Sequence, residues 1–199
     1  MEKLLIEVVA ILKSGGVIVY PTETVYGLGG NALDETVVKK IFDIKSRQAD
    51  RPLIVLVRDF AMAEQLANLG NYKQILGGYW PGALTGIFRA KRELPVGVLS
   101  LDGKIALRIS PHPFIVDLFN SIDFPLISTS ANRSGGKSCL NIEQVKKSLA
   151  EKYKLVDFVI DGGVLSLSLP STLIDFTVTP PKVLRQGVVS FPPGFSLLR

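Results

Sequence analysis

The stretch that decides the fold reads Tyr20-Pro21-Thr22-Glu23-Thr24-Val25-Tyr26-Gly27-Leu28-Gly29-Gly30, and it follows the short apolar run 17–20. Pro21 fixes its own φ and has no backbone N–H, so a strand ending at Tyr20 should stop there and the chain should turn toward solvent. The glycines permit close approaches that a Cβ would forbid, and the hydroxyls and carboxylate can hydrogen-bond to a polar ligand. Taken alone, the stretch fits an ordinary glycine-rich turn better than a ligand site, because such turns are common.

The composition is that of a globular protein with a modest excess of positive charge. Of 199 residues, 47% are hydrophobic and 21% charged, and the net charge is +5. This length fits one large domain or two small ones. We expect a single domain over residues 1–199, with a Pro/Gly-rich tail from about residue 188, because no long linker divides the chain. The positive charge favours anionic partners such as nucleotides or RNA.

The cysteine count and the lengths of the apolar runs indicate the cellular compartment of the protein. With Cys139 as the one cysteine, no internal disulfide can form, so we expect a reducing, cytoplasmic environment. The N-terminus lacks the features of a signal peptide, and no apolar run approaches the roughly 20 residues of a membrane span. His112 and Cys139 are too few for a zinc site of ordinary His/Cys type, so we expect no protein-held metal.

Hydrophobic periodicity predicts helices and strands in irregular alternation. Asp34 and Asp59 are predicted to cap helices, and Asn141 with Gln144 forms a capping-box pattern. The mixture predicts an α+β fold, three-layer and α/β/α-like, with a twisted mixed β-sheet flanked by helices. The predicted helices are 3–13, 35–45, 60–66, a stretch leading to 79, 113–119 and 142–153; the predicted strands are 17–20, 53–57, 84–88, 105–109, 126–128, 156–160, 171–176 and 183–185.

Two polar segments are candidates for binding an anion. Lys45-Ser46-Arg47 ends a predicted helix, where basic residues can complement the helix dipole or clamp a polyphosphate. The strand predicted at 126–128 leads into the hydroxyl-rich loop 129–138. Because ligands often bind at strand ends, this loop fits a ligand site about as well as an ordinary turn. Arg108 and Arg185 stand among apolar neighbours and need a partner if buried.

The loop also nearly matches a phosphate-binding P-loop. Gly136, Lys137 and Ser138 match its end, and Asp161 could serve as the acid that holds magnesium. Against this hypothesis, Ala131 replaces the first glycine, and Asn141 starts the next helix too late for Lys137 to lie at its N-terminus.

In these segments the chain resembles the YrdC/TsaC family of threonylcarbamoyl-AMP synthases, in its short form. The resemblance implies a YrdC-like domain with a deep basic cleft. It implies that L-threonine, bicarbonate or CO2, and ATP with accompanying Mg²⁺ give threonylcarbamoyl-AMP and pyrophosphate. A separate transferase complex would then modify tRNA. The matching segments are 20–27, 45–47, 80–82, 107–109, 128–132 and 184–187.

The resemblance also assigns roles by matching position. Catalytic roles fall to Lys45, Arg47, Ser130 and Asn132. ATP contacts fall to Lys45, Arg47, Lys104, Ser130, Ser138 and Arg185. Threonine contacts fall to Thr22, Arg108, Ser128 and Ser171, with Arg108 pairing with the carboxylate. The sequence departs from the family pattern at Gln48, Arg51, Ala83 and Gln186.

Two other functions remain open from the sequence. A non-catalytic RNA-binding module could use the same basic cleft, although no basic platform with interleaved aromatic residues is present. Direct binding of tRNA by the enzyme is also open. The second alternative to the synthase is a P-loop nucleotidase built on residues 136–138.

Overall fold

Six α-helices and eleven strands are formed by the residues that the computed structural model describes, which are 2–47, 52–166 and 169–191. The helices are α1 (Glu2–Lys13), α2 (Glu35–Lys45), α3 (Phe60–Leu66), α4 (Tyr72–Leu76), α5 (Pro113–Phe119) and α6 (Ile142–Leu149), and a 3₁₀ helix (Ala150–Leu155) follows α6. The strands are β1 (Ile18–Tyr20), β2 (Gly27–Gly29), β3 (Ile54–Leu56), β4 (Ala67–Asn68), β5 (Leu84–Ala90), β6 (Lys104–Arg108), β7 (Leu126–Ile127), β8 (Thr129–Ser130), β9 (Phe158–Val159), β10 (Thr172–Asp175) and β11 (Lys182–Arg185).

The strands form two mixed sheets. The smaller has the order β8-β2-β1-β9, with β1 and β9 parallel and the other pairs antiparallel. The larger has the order β11-β10-β5-β6-β3-β7, and β4 pairs with one end of β5. The expected mixed fold of sheet and helices is therefore confirmed, but its strands are divided between two sheets where the sequence suggested one.

The predicted helix starts are confirmed by their caps. Asp34 accepts hydrogen bonds from the backbone N–H groups of Thr36 and Val37 at 2.8 and 3.3 Å, and α2 begins one residue later. Asn141 accepts from the N–H of Gln144 at 2.9 Å. The Gln144 side chain accepts from the N–H of Leu140 at 2.8 Å, so the expected box closes one residue earlier than in the standard arrangement.

The opening stretch was predicted wrongly in one respect. The chain does not turn toward solvent after Tyr20, because Gly27–Gly29 forms β2 and pairs antiparallel with β1. The connection between them is buried except for Glu23, which is half-buried. Gly29 is required here by close packing, since a Cβ at this position would lie 1.9 Å from the carbonyl oxygen of Ile127.

Two other short strands were also missed. Residues 129–130, predicted as loop, pair with β2 as β8. Residues 67–68 pair with β5 as β4, directly after α3 ends at Leu66 as predicted. Both strands are two residues long and exist only through pairing with a distant segment, which periodicity in a window does not detect.

The hydrophobic core is one cluster that joins helices to both sheets. Val8 and Leu12 of α1 and Ile41 of α2 are fully buried in it, as are Val19 of β1 and Leu107 of β6. Within the described ranges, no helix has the length and apolar character needed to span a membrane.

The close approach at Gly29 makes a testable prediction. Gly29→Ala should lower the free energy of unfolding by about 1–3 kcal/mol, because the backbone must move to admit the Cβ. Gly78→Ala is the matched control, since a Cβ there meets its nearest atom at an ordinary 3.5 Å. Urea denaturation measures both, and equal midpoints for the two variants would show that the packing of β2 is looser than described.

Candidate functional site

A cavity of about 590 Å³ lies where the β1–β2 connection, the end of α2 and the loop after β8 face the larger sheet. This volume is typical of a small-molecule site. The floor is the sheet face that carries Ile54, Ile87, Ala106 and Leu173. Strand register places these side chains on one face, because residues two apart along a strand point the same way.

Lys45 is the most deeply buried cation of the cavity lining, with 2% of its surface exposed. Its Nζ donates to the carbonyl oxygens of Ser130 and Asn132 at 2.5 and 2.8 Å and lies 3.4 Å from Asn132 Oδ1. Burial, the largest cause, and the neighbouring charge of Arg47 together lower the pKa of Lys45 to about 7. The ammonium group therefore joins the end of α2 to the end of β8.

Ser130 and Asn132 form a hydrogen-bonded unit beside that ammonium group. Ser130 Oγ donates to Asn132 Oδ1 at 2.5 Å, and Asn132 Nδ2 donates to the carbonyl of Gly136 at 2.6 Å. The N–H of Ser134 donates to the carbonyl of Lys45 at 3.0 Å. Together these bonds fix the rim of the cavity, where the exposed Ser138 also lies.

Arg108 lies at the end of β6 and is held by two groups. Its Nε donates to the carbonyl of Gly82 at 2.9 Å, and Nη2 forms an ion pair with Glu23 of the β1–β2 connection. Ser110 Oγ donates to the other oxygen of Glu23 at 2.7 Å. Burial, the largest cause, and the nearby charge of Arg185 lower the pKa of Arg108 to about 10, so it stays charged at neutral pH.

Thr22, which was predicted to bind threonine, uses its hydroxyl to shape its own loop. Oγ1 accepts from the N–H groups of Thr24 and Val25, both at 3.2 Å, and donates to the carbonyl of Val25 at 2.7 Å. Thr22 still lines the cavity. Ser128, at the end of β7, lines it too, and its N–H donates to the carbonyl of Ile54 at 2.8 Å.

Arg185 and Ser171 lie together at the edge formed by β10 and β11. Arg185 donates to the carbonyl of Ser171 through Nε and Nη2 at 3.1 and 3.0 Å, and Ser171 Oγ lies 2.8 Å from Thr85 Oγ1. Gly187 permits this arrangement, since a Cβ there would lie 2.0 Å from the carbonyl oxygen of Pro170.

Lys104 is the predicted site residue that the structure does not bring to the cavity. It lies four residues before Arg108 on the same face of β6, about 13 Å along the strand. There it forms ion pairs with Asp102 at 3.0 Å and Asp175 at 3.3 Å, and these contacts raise its pKa. An ATP contact from Lys104 is therefore not supported. The other ten predicted residues all line the cavity.

The charges of the lining favour an anion. Lys45, Arg47, Arg108 and Arg185 contribute to it, and none of the described residues that line it is acidic. Within the described ranges, no group of three His, Cys, Asp or Glu side chains could hold a metal ion. The lining therefore does not fit a metal held by protein side chains.

The P-loop hypothesis is contradicted by the position of the helix. α6 begins at Ile142, with Asn141 as its N-cap, so Lys137 lies four residues before the cap and is exposed. A P-loop lysine needs the helix N-terminus directly after it.

Three polar residues around the cavity were missed from the sequence. They are Glu23, Ser110 and Thr85. Glu23 and Ser110 are hydrogen-bonded to each other across 87 residues of sequence, and Thr85 is hydrogen-bonded to Ser171 across 86. Glu23 was recognised as a polar group in the opening stretch, but its pairing with Arg108 has no local signal. Two family departures, Gln48 and Arg51, lie outside the described residues.

Comparison with known proteins adds to this geometry. The Sua5/YciO/YrdC family model, whose description reads "Telomere recombination", matches residues 10–187. The chain is 36% identical to a threonylcarbamoyl-AMP synthase of Pyrococcus abyssi over 88% of its own length, but it spans only 52% of that protein. It is 33% identical to a threonylcarbamoyl-AMP synthase of Vibrio vulnificus, with 91% of this chain and 97% of the relative covered. A crystal structure of P. abyssi Sua5 complexed with L-threonine superposes with a TM-score of 0.86 at 34% identity, over 94% of this chain and 55% of that one.

The buried ammonium group makes stability depend on pH. The pKa of Lys45 is about 7 in the folded chain, against roughly 10.4 in an unfolded one. Between these values the unfolded chain binds more protons, so the free energy of unfolding rises with pH. Relative to Lys45→Met, the wild type should gain about 3 kcal/mol between roughly pH 7 and pH 9.5, measured by urea denaturation.

Lys39→Met, on the exposed side of the same helix, is the control for removing a lysine from α2. A stability difference between wild type and Lys45→Met that does not change with pH would show that Lys45 keeps an ordinary pKa.

Proposed function

The chain belongs to the Sua5/YciO/YrdC family, and from this premise we propose that it makes threonylcarbamoyl-AMP and pyrophosphate from L-threonine, bicarbonate or CO2, and ATP. The observation that carries the proposal is the convergence of ten of the eleven expected site residues on one cavity. Relatives named for this activity, and one solved with L-threonine, support it.

The polyphosphate of ATP fits the end of the cavity that Lys45 and Arg47 supply. Two cations and the Ser130 hydroxyl lie there with no acidic neighbour in the lining. Guanidinium gives forked hydrogen bonds to phosphate oxygens, while Lys45 acts as a point charge when it is protonated. Ser138 and Arg185 are proposed as further ATP contacts at the rim.

Threonine fits the end formed by Arg108, Ser128 and Ser171. A guanidinium is a good partner for the carboxylate, and serine hydroxyls can pair with the amine and hydroxyl of the substrate. Because the Thr22 hydroxyl already serves its own loop, we propose that Thr22 shapes this end of the cavity in addition to contacting the substrate.

We propose that the reaction has two bond-forming steps. The neutral amine of threonine attacks the carbon of CO2, one C–O π bond opens onto oxygen, and the nitrogen releases a proton to solvent to give a carbamate. A carbamate oxygen then attacks the α-phosphorus of ATP, and the bond to the β-phosphate breaks to release pyrophosphate. Positioning and the fixed cations stabilise the charge that develops, so no covalent enzyme intermediate is needed. We assign no protein group as the general base, since the described lining has neither carboxylate nor histidine.

The proposed product needs a partner that consumes it. A mixed carbamic–phosphoric anhydride is an activated acyl group, and we propose that a separate transferase complex passes it to tRNA in the cytoplasm. We propose that Mg²⁺ is bound by the phosphates of ATP, as is typical of this ion.

Direct contact of this protein with tRNA stays a prediction.

The activity is tested by incubating the protein with ATP, threonine and bicarbonate and measuring pyrophosphate. We expect release that depends on threonine, and a loss of roughly 10²-fold or more in kcat/KM for Lys45→Ala and for Arg47→Ala. The outcome that would contradict the proposal is no threonine-dependent pyrophosphate from the wild type. If that result were accompanied by an affinity for RNA that falls steeply with salt concentration, the RNA-binding module would be favoured.

The threonine end is tested by a matched pair of variants on one face of β6. Arg108→Met should raise KM for threonine about 10- to 100-fold, since a charge-assisted pair with the carboxylate is lost. Lys104→Met removes a cation from the same strand face but outside the cavity, so its KM should stay within about threefold of wild type. Equal effects of the two substitutions would argue against a specific carboxylate contact.

A further inference from the structure

We propose that Glu23 is a specificity-determining residue, which keeps Arg108 for a single carboxylate and excludes phosphate groups from it. The proposal rests on the proposed function, because it sorts threonine and ATP between two ends of one cavity. The carboxylate of Glu23 is not part of the cavity lining. It pairs with the guanidinium group of Arg108, which is.

The contacts of Arg108 leave one edge of its guanidinium for a ligand. The five N–H donors of this group are divided between Nε, Nη1 and Nη2. Nε donates to Gly82 and Nη2 pairs with Glu23, whereas no described residue accepts from Nη1. Since the side chain of Arg108 is 9% exposed and that of Glu23 21%, the pair is well shielded from water.

The position of Glu23 is fixed from both sides. Ser110, which is 4% exposed, donates to its second oxygen and in turn accepts from the N–H of His112 at 3.2 Å. On the loop, the hydroxyl of Thr22, directly before Glu23, hydrogen-bonds to the backbone of Thr24 and Val25, which follow Glu23. The carboxylate is therefore presented to Arg108 by a rigid connection, and not by a mobile surface side chain.

The effect of this carboxylate is to lower the positive potential at one end of the cavity. Arg185 lines the same cavity as Arg108, and its charge lowers the pKa of Arg108. Without Glu23 the two guanidinium groups would form a site for a multiply charged phosphate. With Glu23 the end carries less net charge, whereas the Lys45 ammonium group is hydrogen-bonded to the neutral oxygens of Ser130 and Asn132. A polyphosphate then prefers the Lys45 end, and a zwitterionic amino acid, whose net charge is zero, suits the Arg108 end.

The test is calorimetric titration of threonine into the protein with and without saturating inorganic pyrophosphate. In the wild type, pyrophosphate should change the Kd for threonine by less than threefold. In Glu23→Gln, which keeps the shape of the side chain but removes its charge, pyrophosphate should raise the Kd for threonine at least tenfold, because it now competes at Arg108.

Two further variants separate charge from general effects. Ser110→Ala keeps the Glu23 charge but loosens its position, so threonine should bind more weakly without gaining competition from pyrophosphate. Glu64→Gln removes a carboxylate that pairs with Lys73 outside the cavity and should behave as wild type. Glu23→Asp, which withdraws the charge from Arg108, should show the same competition to a smaller degree, and it replaces Glu23→Gln if that variant does not fold.

Competition between pyrophosphate and threonine in the wild type would overturn the proposal. So would the lack of competition in folded Glu23→Gln, or in Glu23→Asp if it is used instead. A wild type that binds pyrophosphate but no threonine would overturn the proposed function together with this inference, so the two failures give different results.

Discussion

The ammonium group of Lys45 is the contact on which the site depends. It carries a charge into a position that is 2% exposed, and three oxygens of Ser130 and Asn132 surround it. Burial of a charge is costly unless hydrogen bonds replace its water, and here backbone carbonyls do so. Because the carbonyl of Lys45 also accepts from Ser134, side chain and backbone together fix the end of α2 to the rim of the cavity.

The two sheets divide the cavity between them. The smaller sheet and α2 contribute hydroxyls, an amide and the buried lysine, and the larger sheet contributes an apolar floor with an arginine on β6 and another on β11. Rigid strands hold the cations apart in fixed places, which suits a reaction that needs two substrates side by side. The ion pair of Arg108 with Glu23 then joins the β1–β2 connection to the larger sheet.

Much of the fold was predictable because its signals are local. The caps at Asp34, Asp59 and Asn141 are read from three or four adjacent residues, and the helices they start were found at the right places. The division into two sheets, and the strands β2, β4 and β8, depend on pairing between distant segments. For the same reason the buried connection after Tyr20 was mistaken for an exposed turn.

The candidate site was predictable to a different extent. Individual motifs fitted ordinary turns or helix ends as well as they fitted ligand contacts, and it was their order along the chain, through the family resemblance, that selected them. The resemblance assigned Lys104 to the ATP contacts. In the structure, Lys104 lies four residues before Arg108 on β6, outside the cavity, and pairs with Asp175. For Glu23, the sequence indicates a polar side chain in the opening stretch but gives no signal for its ion pair with Arg108.

The most direct measurement is a crystal structure of the protein with a non-hydrolysable ATP analogue and L-threonine. We expect the triphosphate to lie against Lys45, Arg47 and Ser130, and the threonine carboxylate to bind Arg108 while its ion pair with Glu23 stays intact. Density for the triphosphate at Lys137, or for threonine away from Arg108, would contradict this expectation.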